Sequence, residues 1–281
     1  MTAALLLGLG AAVGFGLGDF LSGWYSRRLG LLPVLVLSQA AGLVILLLVA
    51  PFSPPLAGLV DLAWGAAAGV AGAVGGLLLL YGFRHGRLSV VSPISSVGAA
   101  GLPVVADLVA GQRPSTPALV GIGIGLVAIW LVSLAMEDPR RRASAPGVGA
   151  LPGLAAGIMF GTLFLALDRT DPASGAWPVV SAQVAIVVLG LAAVLVRRRP
   201  IRIPGRAMPG VAVAGVATAV ATASFMFAAR EGFVSVAALL ASLSPAVTVV
   251  LARWVLAERL RPHQLLGLVA AGVALVLIGL G

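Results

Sequence analysis

Long apolar runs, separated by short stretches of arginine, acid, proline or glycine, dominate this chain. A helix needs about 20 apolar residues to cross the hydrocarbon core of a bilayer. Ten runs of that kind emerge: Ala4 to Trp24, Leu31 to Ala50, Leu62 to Gly82, Ser89 to Ala110, Thr116 to Met136, Gly147 to Leu167, Trp177 to Val196, Met208 to Ala228, Val234 to Leu256 and His263 to Leu280. Their connections are too short to fold on their own. The pattern predicts an all-α membrane protein of ten transmembrane helices, with the first run read as a membrane helix rather than a removable signal.

The longest polar stretch, Glu137 to Pro146, falls near the middle and divides the chain into a first five-helix repeat (1–136), a linker (137–146) and a second five-helix repeat (147–281). The two sides repeat. A gap-free shift of about 146 residues lays Ser89-Val90-Val91-Ser92 on Ser235-Val236-Ala237-Ala238 and matches Arg84 with Arg230, Gly86 with Gly232, Ser96 with Ser242, Arg113 with Arg259 and Gly121 with Gly267. With one residue less, Phe15-Gly16 meets Phe160-Gly161, and a slightly smaller shift brings Gln39 onto Gln183. An odd number of spans per copy turns the second copy upside down, giving a 5+5 inverted repeat of the kind that frames midplane sites in carriers.

Composition narrows the picture. The chain of 281 residues is 60% hydrophobic and 10% charged with a mean hydropathy of +1.12, where soluble domains carry about 25% charged residues. Its 18 basic residues are all arginine, and the net charge of +9 is broken into clusters between apolar runs. That distribution argues against a nucleic-acid surface and for headgroup anchors. Arg27, Arg28, Arg84, Arg87, Arg140 to Arg142, Arg197 to Arg199, Arg202, Arg206, Arg259 and Arg261 fall on one side of the ten-span threading; Arg113, Arg169 and Arg230 fall on the other. The positive-inside rule places the first set in the cytoplasm and both chain ends outside. The absence of cysteine removes disulfides, thiolate catalysis and zinc-thiolate sites.

Arg84-His85-Gly86-Arg87-Leu88-Ser89-Val90-Val91-Ser92-Pro93, followed by Gly111-Gln112-Arg113-Pro114 and Gly121, has a second copy in Ala229-Arg230-Glu231-Gly232 through Ser244-Pro245, Ala257-Glu258-Arg259-Leu260 and Gly267. This duplicated pattern resembles the EamA-type repeats of the drug/metabolite transporter superfamily over nearly the whole chain. In that family the fourth and ninth helices commonly end in a Gly-Glu-Arg-like turn; here the second copy keeps the acid as Glu258 and the first has Gln112. The opening helix usually carries Trp-Gly, and this one has Phe15-Gly16. The resemblance implies a ten-helix carrier with a central cavity between inverted halves, often an exporter of amino acids or other metabolites, in the bacterial inner membrane. Family members often have cytoplasmic ends, the reverse of the orientation given by the charge count.

Several polar residues within the runs are candidates for function. Asp19 lies inside the first span with Phe15, Gly16, Ser22 and Gly23 on its helical face; a carboxylate at a helix centre costs about 2.5 to 3.5 kcal/mol on insertion scales, so it should face a cavity, a partner or a proton. A protonatable site or a handle for a cationic group stands against snorkelling toward Arg27 or Arg28. The related small multidrug carriers place an acid in their first helix. Gln39 and Gln183, at matching positions, are either cavity amides or interhelical contacts worth about 0.6 kcal/mol. Ser92, Ser95 and Ser96 with Pro93, and Ser242 and Ser244 with Pro245, are candidate cavity-wall residues at helix breaks, because a proline frees a carbonyl that only protein or cavity water can satisfy. Tyr81 and Phe225 come from equivalent third and eighth helices and are candidates for shaping the cavity, against a lipid-facing role. Asp107 and Arg253 correspond under the repeat and read as edge anchors or gates, Arg253 with Glu258 nearby. Trp24, Tyr25, Trp64, Trp130, Trp177 and Trp254 read as interface belting.

A secondary carrier by alternating access is the leading reading, with amino acids or similar solutes as cargo and multidrug or cation efflux as the alternative. An intramembrane enzyme would need a catalytic constellation, yet the two histidines, His85 and His263, stand at helix ends in different halves. A passive channel would need a ring of charge or a repeated filter. The expected partners are a small-molecule substrate and the lipid bilayer, without nucleic acid, as monomer or homodimer. No metal or cofactor is expected; proton coupling turns on Asp19.

Overall fold

The structure, a computed structural model, describes residues 2–53, 58–85, 88–112, 114–133, 150–198, 203–256 and 261–280. Lipid offers no partner to backbone N–H and C=O groups, so each apolar run closes its hydrogen bonds within itself as a helix. The helices are α1 (Thr2–Leu29), α2 (Leu31–Val49), α3 (Leu59–His85), α4 (Leu88–Val109), α5 (Thr116–Ser133), α6 (Ala150–Asp168), α7 (Trp177–Arg197), α8 (Met208–Arg230), α9 (Val234–Ala241), α10 (Ser244–Leu256) and α11 (Pro262–Gly279). They supply ten segments long and apolar enough to cross a membrane, α9 and α10 together forming the ninth. The architecture is all-α and multi-pass.

Of the two helix breaks expected, at Pro93 and at Pro245, only the second forms. The ninth span is not continuous but breaks at Ser242-Leu243, where Pro245 lies in the first turn of α10 and has no N–H to return to α9. Its repeat partner α4 runs unbroken through Pro93, with Pro103 also inside it. Pro93 sits in the first two turns, where its missing donor removes a single bond near an already open end. The fourth span is therefore continuous and its repeat image, the ninth, is not.

Neighbouring spans form a ring: α1 packs on α8, α8 on α2, α2 on α7, α7 on α3, α3 on α6, α6 on α4, α4 on α9, and the ninth span returns to α1. Outside it, α5 and α11 pack on each other, with α5 also against α4. The inversion is visible in two matched contacts. A Cβ on Gly69 would strike the backbone carbonyl of Ala182 in α7, and one on Gly215 would strike that of Ser38 in α2. Gly69 and Gly215 are 146 residues apart, and Ser38 and Ala182 are 144 apart, so α3 on α7 repeats α8 on α2. Only glycine lets the two backbones approach this closely.

The odd-numbered spans start, and the even-numbered spans end, on the face that holds the beginning of α1, here called the amino-terminal face. The other is the arginine-rich face, where α1 ends in Arg27 and Arg28, α7 in Arg197, and Arg206 and Arg261 precede α8 and α11.

Candidate functional site

The interior side of α1 is a stripe of small residues. Ala4, Gly8, Ala11, Ala12 and Gly16 are buried and Phe15 half-buried, while Leu6 and Val13 on the other side are exposed. Gly8 lies against Leu240, and Gly16 against Val247 and the Ser244 carbonyl. Thr248 Oγ1 donates to the Gly16 carbonyl at 3.1 Å and to that of Ser244 at 3.2 Å, which seats the broken ninth span on α1.

Asp19 lies one turn further along this stripe, three residues after Gly16 and four after Phe15, and is exposed. Ser22 beyond it is half-buried, and Gly23 is exposed with nothing within 4 Å of a Cβ. The packed stripe thus opens at Asp19, toward the arginine-rich face. Among the described residues no hydrogen bond or ion pair engages its carboxylate. Asp19 precedes Arg27 by eight residues, which at 1.5 Å per residue puts it about 12 Å below the arginine level, within the hydrocarbon thickness.

The amino-terminal half of the interior is closed. Phe164 and Phe225 pack with ring centroids 4.3 Å apart and planes tilted by 33°, and are 7% and 0% exposed, within a buried cluster that includes Leu46, Leu167, Met226 and Val234. Above it, the guanidinium of Arg230 reaches the turn between α6 and α7. Its Nη1 donates to the carbonyl of Gly175 at 3.0 Å and more loosely to that of Pro172 at 3.4 Å, and its Nη2 donates to Thr170 Oγ1, the Asp171 carbonyl and Ser174 Oγ, each at 3.1 Å. Two bonds tie the same turn to the first repeat and a third ties the start of α7: Asp61 Oδ1 accepts the Asp171 N–H at 2.8 Å, Ser53 Oγ accepts the Ala176 N–H at 3.3 Å, and Ser181 Oγ in α7 donates to the Leu62 carbonyl at 2.6 Å. Asp107, 4% exposed, accepts the Ser235 N–H.

The remaining candidates divide. Gln183, buried, donates to the backbone carbonyl of Gln39 at 2.9 Å and to its Oε1 at 2.5 Å; the paired amides meet each other across the α2–α7 contact. Ser92, Ser96 and Ser244 are half-buried, Ser95 and Ser242 buried, and the Ser242 hydroxyl has no hydrogen-bond partner. Tyr81 is exposed, whereas Phe225 sits in the core. Arg253 is exposed, and Glu258 lies outside the described residues. A groove of about 480 Å³ runs between α1 and α8 past Gly10, Val13, Val213 and Val220, on the outer, apolar side of the bundle. Among the described residues no group of three or more His, Cys, Asp or Glu is placed to hold a metal ion.

Three contributors escaped sequence reasoning: Arg230, Phe164 and Thr248. The turn-rich Thr170-Asp171-Pro172-Ala173-Ser174-Gly175 signals a tight turn offering carbonyls, but not which cation would take them.

The family profile of the EamA-like transporters matches residues 2–134 and again 147–280. The chain belongs to the EamA-like transporter family. An uncharacterized protein of Methanocaldococcus jannaschii is 26% identical over 137 residues, covering 48% of this chain and 98% of that protein, so it spans about the length of one EamA-like copy. A solved crystal structure superposes with a TM-score of 0.80 at 13% identity, covering 100% of this chain and 97% of that one, a likeness of fold.

Proposed function

We propose that this EamA-like transporter is a secondary carrier that exports small solutes bearing a cationic amino group, amino acids among them, with its two halves alternating about the interior that Asp19 faces. The observation behind this reading is an unpaired carboxylate on the interior stripe of α1, exposed where its neighbours in the stripe are packed. Closing the arginine-rich side around a bare carboxylate would bury an uncompensated charge, which costs several kcal/mol. A proton or the ammonium group of a solute removes that cost, so either one must occupy Asp19 before the halves close. Competition between the two couples export to a proton gradient. Protons entering the cell down their gradient would then drive the solute outward.

The test begins with a thermal-shift screen of amino acids, polyamines and organic cations on the purified protein, since a ligand that binds the folded state raises its melting temperature. Solutes that stabilise it are then assayed in proteoliposomes under an imposed pH gradient. The native protein accumulates the solute, and Asp19→Asn binds it at least tenfold more weakly and loses gradient-driven accumulation. Undiminished accumulation by Asp19→Asn sinks the proposal.

A further inference from the structure

We infer that Arg230 is a one-sided latch, so that the carrier rests closed at its amino-terminal face and open at its arginine-rich face. The inference deepens the carrier reading above by adding a resting orientation.

Arg230 stands in the last turn of α8, and its image Arg84 stands in the last turn of α3. In a perfect inverted repeat each would clasp the connection beside it. The connection from α6 to α7 runs through Thr170–Gly175 and offers the Arg230 guanidinium three carbonyls and two hydroxyls. The connection from α1 to α2 is Gly30 alone, with φ 86. A single residue has no turn of carbonyls to present, and Arg27 and Arg28 occupy the helix end before it. One copy thus gives its arginine a turn of acceptors, and the other has a lone glycine in the place of that turn.

The layer beneath breaks symmetry in the same sense. The shift that lays Phe15-Gly16 on Phe160-Gly161 lays Asp19 on Phe164. The shift of 146 that pairs Arg84 with Arg230 lays Leu79 on Phe225. Under the latch lies the buried pair Phe164 and Phe225, their rings in tilted contact; at the image position of Phe164 lies an exposed carboxylate. Two aromatic faces gain from meeting in a dry interior, whereas a carboxylate gains from staying wet. Both layers therefore favour closure at one end only. Opening the amino-terminal face requires Arg230 to leave the turn and Phe164 to part from Phe225, while opening the arginine-rich face requires neither.

Because the chain has no cysteine, a single introduced thiol reports its own accessibility. Leu167→Cys probes the closed half, where the native side chain is 0% exposed, and Ser22→Cys probes the open half one turn beyond Asp19. In nanodiscs, where reagent reaches both faces, a sulfonated maleimide should modify Ser22→Cys at least a hundredfold faster than Leu167→Cys. Adding Arg230→Ala should raise the Leu167→Cys rate at least tenfold and slow that of Ser22→Cys. Arg230→Lys should fall between, since an ammonium has three donors and no planar fork. The pair Thr170→Val with Ser174→Ala keeps the arginine and removes two acceptors, and should move both probes the same way by a smaller factor. A third thiol, Leu240→Cys, lies in the other buried cluster and monitors general loosening; if Arg230→Ala exposes it too, the Thr170 and Ser174 pair decides. Equal labelling of the two probes in the unmodified background overturns the inference, as does a Leu167→Cys rate unmoved by loss of the latch. Labelling uses no substrate, so the inference can fail while Asp19-dependent transport stands, and the reverse.

Discussion

Asp107 near the end of α4 accepts the backbone N–H of Ser235 at the start of α9 at 2.9 Å, joining the two repeats through a buried carboxylate. Antiparallel passage of the repeats brings these ends together, and the negative charge meets the positive end of the α9 dipole. Asp107→Ala leaves a buried N–H without a partner, and a hydrogen bond to a charged group contributes about 1.5 to 3 kcal/mol. The expected outcome is a lowered melting temperature in detergent, with Asp107→Asn, which keeps the acceptor oxygen, losing about half as much. Equal melting of Asp107→Ala and the parent would remove the cap from the account of stability.

Gln39 and Gln183 allow a double-mutant cycle. Gln183 spends its amide donors on Gln39, and polar contacts between membrane helices average about 0.6 kcal/mol. Gln39→Leu keeps the backbone carbonyl but strips the buried Gln183 amide of its side-chain acceptor, so it should destabilise more than Gln183→Leu. The double variant, with nothing left unpaired, should recover most of that loss. Thermal unfolding of all four proteins, read by size-exclusion, checks the order. Additive losses would mean that the two amides do not depend on each other.

The sequence exposed the architecture because lipid imposes a single rule on the backbone: every span had to announce itself as an apolar run, and the odd count in each copy dictated inversion. Asp19 was legible for the same reason, being the one acid deep in the first run. The latch was not. Arg230 aligns with Arg84, so the repeat read them as a matched pair; only the connections beside them differ, a turn of carbonyls against a lone glycine. Asp107 was similarly aligned with Arg253 and read as an edge residue, because a partner found on a backbone N–H leaves no mark in the side-chain pattern. The break at Ser242-Leu243 was signalled by Pro245, but Pro93 gave the same signal without a break. A proline's effect depends on how near it lies to a helix start.

The matched glycines give a test of the inverted packing itself. A methyl group on Gly215 would overlap the Ser38 carbonyl oxygen, and one on Gly69 the Ala182 carbonyl oxygen. Backbone atoms of packed helices have no rotamer to retreat into, so each pair of helices must separate. Overpacking of this kind costs about 1 to 3 kcal/mol or more. Gly215→Ala and Gly69→Ala should therefore each lower the melting temperature by a similar amount, the repeat making one contact the image of the other. At Gly23 and Gly76 nothing lies within 4 Å of a Cβ, and alanine is the better helix former by about 1 kcal/mol. Gly23→Ala and Gly76→Ala should thus melt at or above the parent temperature. All four variants are measured as detergent-solubilised protein by loss of the monodisperse peak on heating. A Gly215→Ala protein as stable as Gly76→Ala would mean that α2 and α8 do not approach as described, and the pairing of repeats built on that contact would have to be redrawn.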